Sequence, residues 1–364
     1  MVGRSAQIRA LGALGFAFLL ALSGCPGFAR TAEPRPPDVL VVTWDTVRAD
    51  RVGPDAAVPG LTPNWDRLAA AGVRFDWART PTPLTLVAHA SLLTGLLPSR
   101  HGARENGLFV LDAGVATLAE RLAARGWRSG AFVSAAVLDA RYGLARGFEI
   151  YDDGVGGSET RHTAERTANE TVDVALAWLG RVPEEQPVFT WVHLFGPHRP
   201  WQAPAPWRAA HPDDGYAAEI AFTDAQTGRL LDGLRQLGRL DRSLVVMTSD
   251  HGEGLGQHGE ASHGYFLYDS SVRVPLMMWA GTRSGLELPA GRRVPDPVSL
   301  TDVAPTVADL LGLDPWSSDG RSMKNCTHST SAEETPPRRS CGIAPSWRSR
   351  PSTSPRCVRS STRT

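Results

Sequence analysis

Cysteine is scarce in this 364-residue chain. There are four, Cys25, Cys326, Cys341 and Cys357, and none in residues 26–325. A thiol nucleophile and a thiolate-bound zinc are therefore excluded from the body of the protein, and that body does without disulfides. Lysine is scarcer still: Lys324 is the only one among 38 basic side chains, so residues 1–323 offer no ammonium group to any site. Charge of one sign is lacking as well. The 38 basic groups meet 38 acidic ones, the formal net charge is zero and the pI is about 7.2. That balance argues against a nucleic-acid-binding surface. The apolar run at residues 10–22 is shorter than the ~20 residues a membrane-spanning helix needs.

What is present is an ordinary globular mix, 42% hydrophobic and 21% charged, interrupted at both ends. Arg4 and Arg9 precede the apolar run at 10–22, and Leu22-Ser23-Gly24-Cys25 follows. This is the pattern of an export signal. The last four residues resemble a bacterial lipobox, which would lipidate Cys25 and anchor the protein to a membrane; an ordinary signal cut nearby is the other reading. Either predicts an exported protein, at the periplasmic face of the cell envelope or secreted. Residues 26–37, with Pro26, Pro34, Pro36 and Pro37, read as a solvated linker. Residues 38–322 form the folded domain. Residues 323–364 are rich in Ser, Thr, Arg and Pro without apolar periodicity, which reads either as a disordered tail or as a frameshifted end.

Three runs have the composition of strands covered on both faces: residues 39–44 leading to Asp45, 188–192 leading to His193, and 244–249 leading to Asp250-His251. Helical patterns lie between them, at Thr62-Pro63-Asn64 through Ala71, at 115–125, and at 219–237 with Ile220, Leu230, Leu231 and Leu234 in register. Alternation of this kind predicts an α/β fold: a doubly wound, mostly parallel sheet with helices on both faces. Such sheets bind ligands beyond the carboxyl ends of their strands, where Asp45, His193, Asp250 and His251 would all lie.

These residues carry recognisable chemistry. A carboxylate leaving a buried strand needs a partner, and for Asp45 that is a metal ion or Arg48. Asp250 and His251 supply one oxygen and one nitrogen ligand, with Gly252 allowing the turn; the structural alternative for Asp250 is a helix N-cap. Mixed ligation suits manganese or zinc better than calcium or magnesium. Thr85 precedes a predicted short helix at 87–93, stopped by Gly95. Its hydroxyl there faces the positive end of the helix dipole, and a bound divalent cation would help ionise it; capping the helix is its alternative role.

Together these segments resemble the sulfatase branch of the alkaline phosphatase superfamily over residues 38–323. The resemblance rests on the strand end at Asp45, on residues 85–95 with Pro98-Ser99-Arg100-His101-Gly102, and on Pro197-His198-Arg199-Pro200. Ser249-Asp250-His251-Gly252-Glu253, Leu255-Gly256-Gln257-His258-Gly259, His263-Gly264 and Arg273-Val274-Pro275-Leu276 extend it. It implies Asp45, Asp250 and His251 as ligands of one divalent metal ion and Thr85 at the nucleophile position. It also implies His198 and His263 as groups that bind the transferred oxyanion or protonate the leaving oxygen, with His193 assisting. His89, Arg104 and Asn106 would lie near the pocket mouth, and His101 and His258 are site groups or structural. The departures are informative. Sulfatases mature a cysteine or serine to formylglycine ahead of x-Pro-x-Arg; here Thr85, Val87 and His89 take those places. The paired aspartates of the first metal segment are reduced to Asp45-Thr46, and the Gly-Lys-x-His segment appears as Gly130-Ala131-Phe132-Val133. Leu194 stands where a second metal site would need an aspartate four residues before His198.

The resemblance therefore implies a metal-dependent hydrolase of sulfate, phosphate or phosphonate esters, acting on an anionic substrate through a threonine nucleophile. Two alternatives remain: an envelope transferase of phosphoethanolamine or phosphoglycerol groups, and an inactive, truncated sulfatase-like binding domain.

Overall fold

The computed structural model describes residues 35–154 and 166–328. The export signal with Cys25, most of the linker, part of the rim loop at 151–162 and the tail beyond 328 lie outside the described residues. Eight strands form one sheet: β1 (Asp38–Trp44), β2 (Val73–Arg79), β3 (Arg128–Phe132), β4 (Ile150–Asp152), β5 (Val188–Leu194), β6 (Ser243–Ser249), β7 (Arg273–Ala280) and β8 (Arg292–Ser299). Their order is β4-β3-β5-β1-β6-β7-β2-β8. Every neighbouring pair is parallel except those of β7, which runs against both β6 and β2. The helices are α1 (Pro63–Ala70), α2 (Thr85–Thr94), α3 (Pro98–His101), α4 (Leu118–Ala123), α5 (Ala168–Leu179), α6 (Ala205–Ala210), α7 (Gly215–Gln236), α8 (Asp269–Val272), α9 (Val303–Leu310) and α10 (Lys324–His328). This is the expected doubly wound α/β architecture.

The pleat of β1 shows why its sequence is apolar throughout. Val39 and Val41 enter one core, with residues of α2, α4 and α9; Leu40, Val42 and Trp44 enter the other, with residues of α1, α5 and α7. Successive side chains of a strand point to opposite faces, so a strand packed on both sides has no position for a solvated residue. Helix α2 follows the same logic in helical form: all ten of its residues are buried, and its polar Thr85, His89, Ser91 and Thr94 each meet a polar partner inside.

Helix starts differ from the expected ones where tertiary partners replace local caps. Thr62 makes no side-chain cap to α1; Asp224, from α7, instead accepts the amides of Asn64 (3.0 Å) and Trp65 (2.9 Å). The helix expected at 115–125 begins only at Leu118, because Thr117 and Glu120 bond reciprocally to each other's backbone amides. The helix expected at 87–93 begins at Thr85 itself, and Asn106 Oδ1 accepts the Leu86 amide at 2.9 Å. Thr85 is thus inside the first turn, with no capping duty. The packed body also runs past residue 322: Met323 is buried in the core and α10 follows it.

His101 is structural. Its Nδ1 accepts the Ala103 amide (3.2 Å) and its Nε2 lies 3.0 Å from Ser91 Oγ, which ties α3 to α2 around a neutral ring. Burial pushes its pKa from 6.5 down to about 4. The folded value is below the unfolded one, so the stabilisation is complete above pH 6.5 and is lost as pH falls toward 4. Between pH 6.5 and 5 the loss is about 2 kcal/mol. Denaturant melts of the wild type and His101→Gln at pH 7 and pH 5 are expected to show a smaller pH difference in the variant, by about that amount; equal differences would exclude His101 as the titrating group.

Candidate active site

The site is assembled by strand register. Across β5, β1 and β6, Thr43 pairs with His193 and Trp44 with both Leu194 and Ser249. The ladder runs one step further, for the Asp45 amide donates to Leu194 O (3.0 Å) and the Asp250 amide to Trp44 O (3.2 Å). Asp45 and Asp250 therefore leave adjacent strands side by side at the carboxyl edge, with His193 on the strand flanking Asp45. Asp45, Asp250 and His251 are each completely buried, and one ligand atom from each lies within 4.8 Å of the others.

Hydrogen bonding within this group leaves a particular set of atoms unused. Asp250 Oδ1 accepts the amides of His251 (2.7 Å) and Thr46 (3.2 Å), whereas Asp250 Oδ2 and both oxygens of Asp45 are buried with no hydrogen-bond partner. His251 Nδ1 donates to Gly252 O at 2.9 Å, so its Nε2 lone pair points inward, 3.4 Å from Asp250 Oδ2 and 4.0 Å from Asp45 Oδ1. Burial and the neighbouring Asp45 push Asp250 well above the usual carboxylate range. Burial opposes the charge on Asp45 too, but His193, His198 and His251 around it outweigh this and pull its carboxyl below 3.8. Burial, and then His263, push His251 down to about 3, which keeps its ring neutral as a ligand must be. Orphaned buried carboxylate oxygens and an inward imidazole lone pair are the donor set a divalent cation satisfies, and these residues fit one.

Thr85 enters from α2. Its Oγ1 is 3.3 Å from His251 Nε2. His89 does not line the mouth as expected; it is fully buried behind Thr85. Its Nδ1 donates to Thr85 O (2.7 Å), and its Nε2 accepts from Thr43 Oγ1 (2.9 Å), which in turn accepts Trp191 Nε1–H (3.0 Å). This chain of bonds pins the first turn of α2 to β1 and β5. It also occupies both nitrogens of His89, although His89, His193 and Asp250 form a second metal-compatible group by distance. His193 joins Asp45 rather than the outer histidines, with Nε2 3.3 Å from Asp45 Oδ2. Ser134 Oγ donates to His193 O and lies 3.4 Å from its Nδ1.

The outer wall is a file of rings. His251 and His263 have centroids 4.4 Å apart, and His263 and His198 are 5.2 Å apart. Glu253, fully buried, places Oε2 3.4 Å from His263 Nδ1. Burial works against a charged His263, yet the bond and charge of Glu253 raise its pKa above 6.5. Glu253 stood within a recognised motif without a role, and Ser134 and Thr43 gave no signal in sequence, being tied to their partners only through the sheet. Among the other expected residues, Asn106 serves the α2 terminus, Arg104 is exposed, and His258 stacks on Tyr268 at 3.8 Å.

Fold and site define an α/β protein whose buried carboxylates and histidines meet a helix-borne hydroxyl at the carboxyl edge of a mostly parallel sheet. Residues 37–313 match the Sulfatase family, and the chain belongs to it. It is 26% identical to a sulfatase of Formosa agariphila over 81% of this chain and 75% of that one. It is 28% identical to the sulfatase YidJ of Escherichia coli K12, over 76% and 68% respectively. Its fold is similar to that of a phosphonate monoester hydrolase of Agrobacterium radiobacter, with a TM-score of 0.68 at 24% identity, covering 80% of this chain and 77% of that one.

Proposed function

We propose that the protein is a metal-dependent hydrolase of sulfate, phosphate or phosphonate esters, with Thr85 at the position sulfatases give to formylglycine. The observation that carries this is the approach of Thr85 Oγ1 to His251 Nε2 (3.3 Å) beside three carboxylate oxygens without partners. Asp45, Asp250 and His251 would hold one divalent cation, and their mixed oxygen and nitrogen donors favour manganese or zinc. When bound, the cation neutralises oxyanion charge and lowers the pKa of a nearby hydroxyl.

The chain's own groups supply the rest. Thr85 Oγ1, at the positive end of α2, releases its proton to solvent water and attacks sulfur or phosphorus in line while the bond to the alcohol oxygen breaks. His263, whose protonated form Glu253 favours, gives its proton to that departing oxygen, and His198 beside it faces the transferred group. Water then displaces the Thr85 oxygen, releasing the acid and restoring the hydroxyl. Threonine cannot become formylglycine, so release requires this second displacement at sulfur or phosphorus; this is the physical reason to favour phosphorus esters alongside sulfate. A lipid anchor at Cys25 would keep the enzyme at the periplasmic face of the envelope. No helix among the described residues is long and apolar enough to cross a membrane.

The test is a panel of phenyl sulfate, phenyl phosphonate and diphenyl phosphate, assayed with metal analysis of the purified exported chain. Hydrolysis of at least one ester, dependent on about one manganese or zinc per chain, is expected. Bound metal without any hydrolysis would leave a binding domain, and diversion of product to an added alcohol would make it a transferase.

A further inference from the structure

The chain leaves the site at His263 and immediately displays four large apolar side chains to solvent: Tyr265 (88% exposed), Phe266 (45%), Leu267 (69%) and Tyr268 (44%). Exposed apolar residues scattered singly need no explanation, but a consecutive set does. This one is held in place. Glu260 is buried; its Oε1 accepts the amides of Tyr265 (3.0 Å) and Phe266 (3.2 Å), and its Oε2 accepts from Ser271 Oγ (3.2 Å). Tyr268 O accepts the amides of Ser271 (2.8 Å) and Val272 (3.0 Å), and the Tyr268 ring lies flat on His258. A buried carboxylate thus has both oxygens engaged in fixing a loop that leaves Tyr265 and Leu267 mostly in solvent.

Its location gives the loop a purpose. A Cβ on Gly264 would lie 3.5 Å from Leu84, the residue before Thr85, so the loop passes over the α2 terminus beside the nucleophile. Consecutive Cα atoms are about 3.8 Å apart, which puts Tyr265 within two residues of the group that protonates the departing oxygen. We infer that Tyr265, Phe266 and Leu267 form a leaving-group platform that selects esters of uncharged alcohols bearing an apolar ring. In the proposed reaction the departing oxygen takes its proton from His263, so the alcohol leaves next to residue 264, and residues 264–268 carry no charge to receive an ionic alcohol. Tyrosine and phenylalanine suit this role because they offer a rigid apolar face at small entropic cost.

The inference rests on the hydrolase reading, so its test has two arms. In the first, phenyl and methyl esters of the acid that the wild type hydrolyses are compared in Tyr265→Ser and Leu267→Ser. Both side chains are exposed, and circular dichroism melts check that the fold is kept. The phenyl-to-methyl ratio of kcat/KM is expected to fall about tenfold, chiefly through KM. An unchanged ratio overturns the platform, as does a shift from dimer to monomer on sedimentation with unchanged kinetics, which would assign the loop to a second copy of the chain. In the second arm, benzyl alcohol binding is followed by NMR line broadening. Broadening in the wild type that is lost in both variants supports the platform even if no ester is cleaved; no broadening in the wild type overturns it independently of catalysis.

Discussion

Thr85→Ala is expected to lower turnover by about 10⁴-fold, equivalent to roughly 5.5 kcal/mol of transition-state stabilisation, while the bound metal stays at about one per chain. The side chain is buried, and its hydroxyl meets only His251 Nε2 among its hydrogen-bond contacts. Asn106 caps the helix in its place. The methyl and hydroxyl can therefore be removed without undoing a cap, and the loss should fall on kcat rather than on folding. Thr85→Ser keeps the attacking oxygen and should retain activity within about tenfold of wild type. Ser91 is the other hydroxyl on α2 that invites consideration, but it is buried in its bond to His101 and lies on a different side of the helix. Substantial turnover in Thr85→Ala, measured with metal content on the same sample, would remove Thr85 as nucleophile.

Asp45→Asn should have the largest effect on metal affinity, a loss of at least about 100-fold. Both Asp45 oxygens are buried without a hydrogen bond, Oδ2 facing His193 Nε2 at 3.3 Å, next to Asp250, whose charge Asp45 disfavours. Two carboxylates in contact cannot both ionise cheaply without a cation between them. Metal at about 100 times its Kd should raise wild-type stability by about 2.7 kcal/mol, and a chelator should reverse the gain. In Asp45→Asn that metal-dependent gain should vanish, because the amide offers a neutral oxygen where the carboxylate offered a charged one. Thermal melts with and without chelator decide the matter. A variant that still gains stability from manganese or zinc would show that Asp45 is not a ligand.

The three apolar runs at 39–44, 188–192 and 244–249 were legible because strands packed on both faces admit little else, and the polar residues that end them mark the site edge. Asp45, His193, Asp250 and His251 could be placed at one edge on that basis, and the resemblance to sulfatases singled out Asp45, Asp250 and His251 as the ligand set. The histidines were harder. His89, His193 and His198 carry the same side chain, and nothing local separates a ring tied between Thr43 and the Thr85 carbonyl from one beside Asp45 or one at the outer wall. The start of α2 was misjudged by two residues for a similar reason: its cap comes from Asn106, beyond the helix's other end. Short-range patterns register the preferences of a segment, while caps and ring partners are set by whatever the fold brings alongside.

By itself, then, the sequence determined the layered architecture, the edge at which chemistry is possible, the lack of thiol and ammonium groups in the body, and the kinship with sulfatases. Burial periodicity and residue chemistry are properties a linear chain can carry. Only the tertiary structure decided that Thr85 is free of capping and faces His251, that Glu253 lies beside His263, and that Glu260 fixes the aromatic loop after it. Each of these depends on distances of a few ångströms between atoms on different elements, which sheet register and helix packing settle together.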